Sequence, residues 1–465
     1  MNKNIALAYL AQFINLGASF ILLPFTVRIL EPEYLAVWYI FSALAGFSML
    51  MEFGFQSTIS RNVTYVYAGA KNIPKNGIPE MSQVFEFGNR KLLSDVINAS
   101  KIIYRRIVIL ASTILIIPGT FYILYITRNL LDSNVVILSW ILFATGQMGS
   151  LYFNYINSSL LGKFRIAEVN IAQIFTRLTY ILITIVLLEM NFSLLSLGIA
   201  SFLSLIIGRM IIKFYFTRYI AVDLVEVSKN GDVEKIIKSM WFNASKVGYV
   251  EFGTFMILKA NIFIVSIFTP LSEVAKYGLT LSLINMLSSL TTILVNINMP
   301  YLNSLQRANS EEKNLIKNRL ALILFVTYFL YFIGLFLLVY IGPQFLGQIK
   351  SKVMLLNFWQ MMLMGLFCFL EINHSIFAAY LTTKNNIPFV SSALISGAAI
   401  VILDIIFTPI YGLWAIIIVQ GFVQLAYNNW YWPCVVLKEL DTKTWKLLLL
   451  GYHEFKFILF GKNKA

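Results

Sequence analysis

A chain of 465 residues that is 58% hydrophobic and only 12% charged is too oily for a soluble globule, in which about 25% of residues are charged. With a mean hydropathy of +0.76 and apolar runs of bilayer length from end to end, it is an integral membrane protein; the runs lack the period-two alternation of a membrane barrel. The net charge of +14 would suit nucleic acid, but the cations sit in short loops between the runs, so no nucleic-acid partner is expected.

The opening MNKNIALAYLAQFINLG has one lysine before a run too long for a signal-peptide core, with no small-residue cleavage site, and reads as an uncleaved first helix. Hydropathy predicts twelve spans, at about 5–29, 34–67, 102–126, 135–161, 167–188, 193–216, 240–268, 275–302, 320–341, 353–380, 388–408 and 412–436. The longest connection, at about 68–101, contains Pro, Gly and charges and reads as a surface loop with a short amphipathic helix. Cys368 and Cys434 fall in different apolar segments and read as small core residues rather than a disulfide. The resulting organisation is an N-terminal six-helix bundle over about 1–218, a cytoplasmic linker over 219–239, a C-terminal six-helix bundle over 240–437 and a basic tail over 438–465. The tail, KELDTKTWKLLLLGYHEFKFILFGKNKA, reads as an amphipathic segment on the inner leaflet, where anionic headgroups attract lysine.

Lysine and arginine set the orientation. With the N-terminus inside, the cytoplasmic loops and tails hold roughly 27 cations and the outer loops about 5. Both termini are therefore expected in the cytoplasm.

An internal repeat is visible as well. FTVRILEPEYLAVWYIFSAL at 25–44 resembles FIVSIFTPLSEVAKYGLTLSL at 263–283. Phe25 matches Phe263 and Pro32 matches Pro270 at one offset, and Trp38 matches Tyr277 after a one-residue insertion. Six spans apart, the two segments share an orientation, which implies parallel halves about an axis along the membrane normal and a substrate site between them.

The segment FTVRILEPEYLAVWYIFSALAGFSMLMEFGFQSTISRNVTYVYA resembles the opening of Wzx-type polysaccharide flippases, with an Arg-x-Leu turn before a Tyr-x-x-x-Trp helix start, then an acid-aromatic-Gly segment and a closing Arg. KANIFIVSIFTPLSEVAKYGLTL, NMPYLNSLQR and TPIYGLWAIIIVQ are similar to that family's helix 7–8 hairpin, helix 8 exit and helix 11–12 turn. Glu31 and Ala36 stand where glycines are usual, and Asn261 where an Asp is often found, which weakens any transfer of an ion-coupling acid to helix 7. The resemblance implies the all-α MOP exporter fold of twelve transmembrane helices in two six-helix bundles related by a pseudo-two-fold, with helices 1, 2, 7 and 8 lining a central cavity. It also implies the substrate, an undecaprenyl-diphosphate-linked oligosaccharide repeat unit moved from the inner to the outer leaflet of a bacterial plasma membrane. A polysaccharide polymerase and a chain-length regulator stay open as protein partners.

Moving such a headgroup needs a wet, cationic path, so cations at depth are the candidates. Arg177 lies about 15 Å into helix 5, near the midplane. Lys246 and Lys259 lie in the inner and outer thirds of helix 7, with Glu251 between them, and at about 100° per residue the three spread around the helix. Arg61 reads as part of an inner vestibule or a snorkelling anchor, and Arg28 as an outer anchor or exit gate. Glu52 lies about 27 Å down helix 2 and is expected to pair with a cation on another helix. Glu371 is one turn from His374 on helix 10, and Asp404 has no partner identifiable in sequence. Asn285, Asn296 and Asn298, with Gln12 and Asn15, suit either sugar hydroxyls or helix packing.

Two histidines, no metal-ligand spacing and no phosphate-binding Gly loop offer no catalytic constellation and no resident cofactor. Energy would come from the membrane potential, at about 2.3 kcal/mol per charge per 100 mV, or from H+ or Na+ coupling through Glu52, Glu251 or Asp404. The alternatives weighed against a flippase are a cation-coupled drug exporter on the same fold and a membrane enzyme of polysaccharide assembly.

Overall fold

The computed structural model describes residues 3–74, 79–80, 89–225, 232–304, 310–382 and 388–460. Its chain divides into two compact units, Met1–Phe255 and Met256–Ala465. Nine stretches among the described residues are long and apolar enough to cross a bilayer. Many of their apolar side chains point outward, among them Leu182, Phe214, Phe336, Ile402 and Ile406. In water that arrangement would be costly; in hydrocarbon it is the ordinary surface of a spanning helix. The protein is a multi-pass helical membrane protein.

The first unit contains α1 (Lys3–Ile29), α2 (Pro32–Leu50), α3 (Phe55–Tyr67), α4 (Arg90–Ile114), α5 (Thr120–Ile126), α6 (Ser133–Tyr152), α7 (Asn154–Gly162), α8 (Ile166–Glu189), α9 (Leu194–Tyr219) and most of α10 (Asp232–Leu258). The helix of the third predicted span starts at Arg90, so residues 90–101 are not loop. Asn89 caps it by accepting from the Leu92 N–H at 3.0 Å, and Leu93, Val96, Ile97 and Ile103 bury one helical face. A wider π turn over Leu115–Gly119 joins α4 to α5 and contains Pro118, whose ring and missing N–H disrupt regular α-helical bonding. Within this unit α9 packs along both α6 and α8, and α1 packs along α8. The α8–α9 approach is close because Gly208 sits beneath Thr176, where a Cβ would lie 1.9 Å from the hydroxyl.

The second predicted span is not one helix. It breaks between Leu50 and Phe55, where Phe53 (φ 48°) and Gly54 (φ 70°) are left-handed. Short-range bonds keep the backbone satisfied: the N–H groups of Met51, Phe53 and Phe55 donate to the carbonyls of Ser48, Leu50 and Glu52 at 2.9–3.2 Å. The break is seated on α10. Phe53 lies over Gly248, where a Cβ would meet its ring at 2.1 Å, and both Phe53 and Phe55 stand 5.8 Å from the Trp241 ring.

The second unit contains the remainder of α10, then α11 (Asn261–Phe268), α12 (Leu271–Thr291), α13 (Ile293–Ser304), α14 (Ser310–Tyr340), α15 (Gly342–Gln348), α16 (Phe358–Thr382), α17 (Val390–Tyr411), α18 (Leu413–Ala426), α19 (Asn428–Glu439) and α20 (Thr444–Phe460). Pro270 immediately precedes α12, as Pro32 opens α2. The tail helix α20 packs along α14: Gly451 abuts the Ala321 carbonyl, Phe325 meets Tyr452 and Phe455 at 5.7 Å, and Asn318 donates to Glu454 at 3.1 Å.

Gly54 is the test of the break. An alanine there would hold a Cβ at positive φ, 2.8 Å from Val247. Gly54→Ala is expected to lower stability by about 1–2 kcal/mol from the left-handed backbone alone, seen as a lower midpoint of thermal unfolding in detergent; an unchanged midpoint would contradict the break.

Candidate functional site

The break in the second span turns Glu52 into the first unit, where it is 7% exposed. Its carboxylate accepts hydrogen bonds from the Tyr104 hydroxyl and from Asn154 Nδ2, the latter at 2.7 Å. Asn154 reaches it from the start of α7, directly after a one-residue interruption at Phe153. Asn157 Nδ2 in turn donates to Asn154 Oδ1 at 2.7 Å. The fifth member is Arg209 on α9, which interacts electrostatically with Glu52 and donates to Ser150 Oγ. A carboxylate buried in an apolar bundle is tolerated when paired and hydrogen-bonded in this manner.

In front of this cluster lies a cavity of about 610 Å³ in the first unit. Side chains of α1, α2, α3 and α6–α9 line it. One wall is polar, with Gln56, Gln147, Asn157, Gln173, Ser201 and Ser204. Arg177 on α8 and Arg209 on α9 both line it, and no carboxylate is among its described lining residues. Trp38, Phe143 and Tyr180 add aromatic surface, and Trp38 and Phe143 belong to a ring cluster with Phe41 and Trp140 at centroid distances of 5.1–6.4 Å.

Of the residues singled out from sequence, the structure brings Arg177 to this cavity and Glu52 to its backing. Arg28 is elsewhere, in a half-exposed ion pair with Glu189 at 2.7 Å. Arg61 is exposed on α3, and Glu251 and Lys259 are exposed on and just beyond α10. The side chains of Lys246, Gln12, Asn15 and Asn296 lie outside the described residues. Asn298 caps its own helix turn by donating to the Leu294 carbonyl at 2.8 Å.

Arg209 is the residue that sequence reasoning missed, having been counted as a charge of the short loops. The depth arithmetic applied to Arg177 does not single it out on the predicted span. With the sixth span ending at 216, Arg209 is about 10 Å from the end, within reach of a snorkelling side chain; α9 continues to Tyr219, which places Arg209 about 15 Å deep.

The second unit holds a different polar group. Asp404 on α17 is buried, and neither carboxylate oxygen has a hydrogen-bond partner among the described residues. The same holds for the hydroxyl of Thr408, one turn further on, and for Glu371 Oε1 on α16. His374, the sequence neighbour of Glu371, instead holds the Asn428 carbonyl through Nδ1 at 2.9 Å. Asn261 Nδ2 donates to Gln420 at 3.0 Å, while its Oδ1 has no hydrogen-bond partner among the described residues.

This fold, an all-helical multi-pass bundle in two units, is that of the MOP superfamily transporters. The chain is similar to an inward-facing multidrug resistance MATE family transporter of that superfamily, at 14% identity and TM-score 0.59 over 92% of this chain and 95% of that one. It is similar to the lipid II flippase MurJ in an inward closed conformation, at 14% identity and TM-score 0.62 over 99% and 93%. A third neighbour is a MOP superfamily transporter from Pyrococcus furiosus, described as having a binding pocket of reverse polarity, at 13% identity and TM-score 0.51 over 95% and 96%. No family model and no curated protein matches the chain. At these identities the likeness is one of fold.

The Glu52 cluster generates a direct test. Tyr104→Phe removes one donor to a buried carboxylate and is expected to cost about 1.5–3 kcal/mol. Glu52→Ala strands Tyr104, Asn154 and Arg209 together and should cost more, about 3–5 kcal/mol. Chemical unfolding in detergent reads both; equal and negligible effects would show that Glu52 is solvated.

Proposed function

We propose that this protein is a flippase of the bacterial inner membrane that moves an undecaprenyl-diphosphate-linked oligosaccharide, an O-antigen or related surface-polysaccharide unit, to the outer leaflet by alternating access. The reading takes the fold as twelve spans in two six-helix bundles with both termini cytoplasmic. The observation that carries it is the cavity in which Arg177 and Arg209 stand among amides and hydroxyls, with no acid among its described lining residues. Guanidinium groups at membrane depth suit an anionic, hydroxyl-rich headgroup and repel the cations that a drug exporter would carry. The MOP superfamily fold supports the reading at the level of transport.

Two energy sources fit. Outward movement of negative charge is driven by the membrane potential. Coupling to H+ or Na+ is favoured by Asp404, a buried acid with no hydrogen-bond partner among the described residues, beside the similarly placed Thr408 hydroxyl. A polysaccharide polymerase and a chain-length regulator are the protein partners this function would bring.

Proteoliposomes loaded with the lipid-linked oligosaccharide test the proposal. The wild-type protein should expose it in the opposite leaflet, and Arg177→Ala or Arg209→Ala should slow this at least about tenfold, the loss of a charge-assisted hydrogen bond. Asp404→Asn should abolish any dependence on an ion gradient. Failure to move the glycolipid, with extrusion of a cationic dye instead, would make the protein a drug exporter. Translocation undiminished without potential or gradient would exclude both coupling modes as requirements.

A further inference from the structure

We infer that the groove between α14 and α20 is a binding site for an anionic phospholipid of the bilayer, with the acyl chains against its aromatic walls and the headgroup at Lys456. The site lies within the second unit, and the inference does not depend on what the protein transports.

The groove is made by where the two helices touch. Gly451 lets α20 settle on the Ala321 carbonyl, and Asn318 holds Glu454 at 3.1 Å. Beyond that contact lies a space of about 920 Å³. Its α14 wall is Phe325, Phe329, Phe332 and Phe336, at the spacing of one helical face. Trp445, Leu449 and Tyr452 repeat that spacing on α20. Tyr328 also lines the space, but its hydroxyl is committed to Asn373. No charged or amide side chain is among the described lining residues. Because α14 contains a stretch of spanning length and hydropathy, the surroundings of the groove are hydrocarbon and its occupant is apolar along these walls.

Size and charge select that occupant. The volume is at the upper end of small-ligand sites; it takes acyl chains, and only part of a polyprenyl chain of undecaprenyl length. A chain leaving the bilayer core for the groove gains no hydrophobic free energy, since lipid tails are as apolar as the walls. The headgroup must therefore supply the preference. One turn beyond Tyr452, Lys456 continues the α20 face that lines the groove, and it is exposed. On the other wall the phenylalanine face continues towards the start of α14 as Asn318 and Asn314, the latter exposed. The acid at this end, Glu454, is turned to Asn318. Lys462 and Lys464 follow in the sequence. An ammonium and an amide at the polar end of a dry aromatic groove suit a phosphodiester whose chains run into it. A zwitterionic headgroup would bring its own cation against Lys456.

Tryptophan quenching by lipids with brominated acyl chains tests this on the full-length protein in phosphatidylcholine vesicles. The Trp445 signal is the difference between the wild type and Trp445→Phe. Brominated phosphatidylglycerol should half-quench it at a mole fraction about fivefold lower than brominated phosphatidylcholine, the worth of one lysine facing an anionic lipid. Lys456→Gln should bring the two lipids together and Lys456→Arg should keep them apart. Lys438→Gln, at an exposed cation on α19 outside the groove, should change neither. Equal quenching by the two lipids in the wild type would show ordinary bilayer contact and no site. A preference that survives Lys456→Gln, or is lost equally in Lys438→Gln, would overturn the headgroup placement. Relief of the phosphatidylglycerol quenching by undecaprenyl phosphate would give the groove to a prenyl chain, and loss of quenching as the protein-to-lipid ratio rises would give it to a second copy of the chain; either result overturns the assignment.

Discussion

A carboxylate cannot lie in an oily helix bundle unless its surroundings are built around it, and Glu52 shows what that demands. Leaving such a charge alone costs several kcal/mol, so a phenol and an amide from two other helices donate to it, and the Arg209 guanidinium acts on it electrostatically from a third. For the acid to turn inward the second span breaks at Phe53 and Gly54. For the amide to reach it, the fourth span is interrupted at Phe153. Irregular backbone at membrane depth is tolerated where it is buried in protein or lines a cavity, and both interruptions border the same one. Asn154, Asn157, Ser150 and Arg209 belong both to this network and to the lining of the cavity.

The two units handle acids in opposite ways. In the first, Glu52 accepts from Tyr104 and Asn154, and the charged residues among the described lining of the cavity are Arg177 and Arg209. In the second, Asp404 is buried with no hydrogen-bond partner among the described residues, beside Thr408 in the same condition. A satisfied acid organises structure. An unsatisfied one is a place where a proton or a small cation lowers the energy. The satisfied acid and the unsatisfied one thus fall in separate units of the chain.

Much of the architecture was legible in advance because the bilayer imposes a one-dimensional code. A span needs about 20 apolar residues whatever it packs against, so hydropathy located the long helices, including α8, α9, α16 and α17, to within a few residues. An amphipathic helix was expected within 68–101 but not its continuity with the third span, because residues 90–101 bury one face and wet the other and so fall below the hydropathy of a span. Interruptions at 51–54, 153, 259–260, 292 and 427 left no trace in hydropathy, since a turn of one to four residues inside an apolar run changes its average little.

The site was legible only in part, and the division has a clear cause. Composition and the spacing of charges along single helices pointed to Arg177 and Glu52, since a charge deep in an apolar run is costly wherever the helix is placed. Which cations share a cavity was decided by packing: Arg177 and Arg209 line the same one on α8 and α9, which approach closely at Gly208, and Glu52 finds partners 52 and 102 residues away. The cost of burying each charge is written in its local stretch of chain, whereas the partner that offsets it is selected by helix contacts that no local stretch contains.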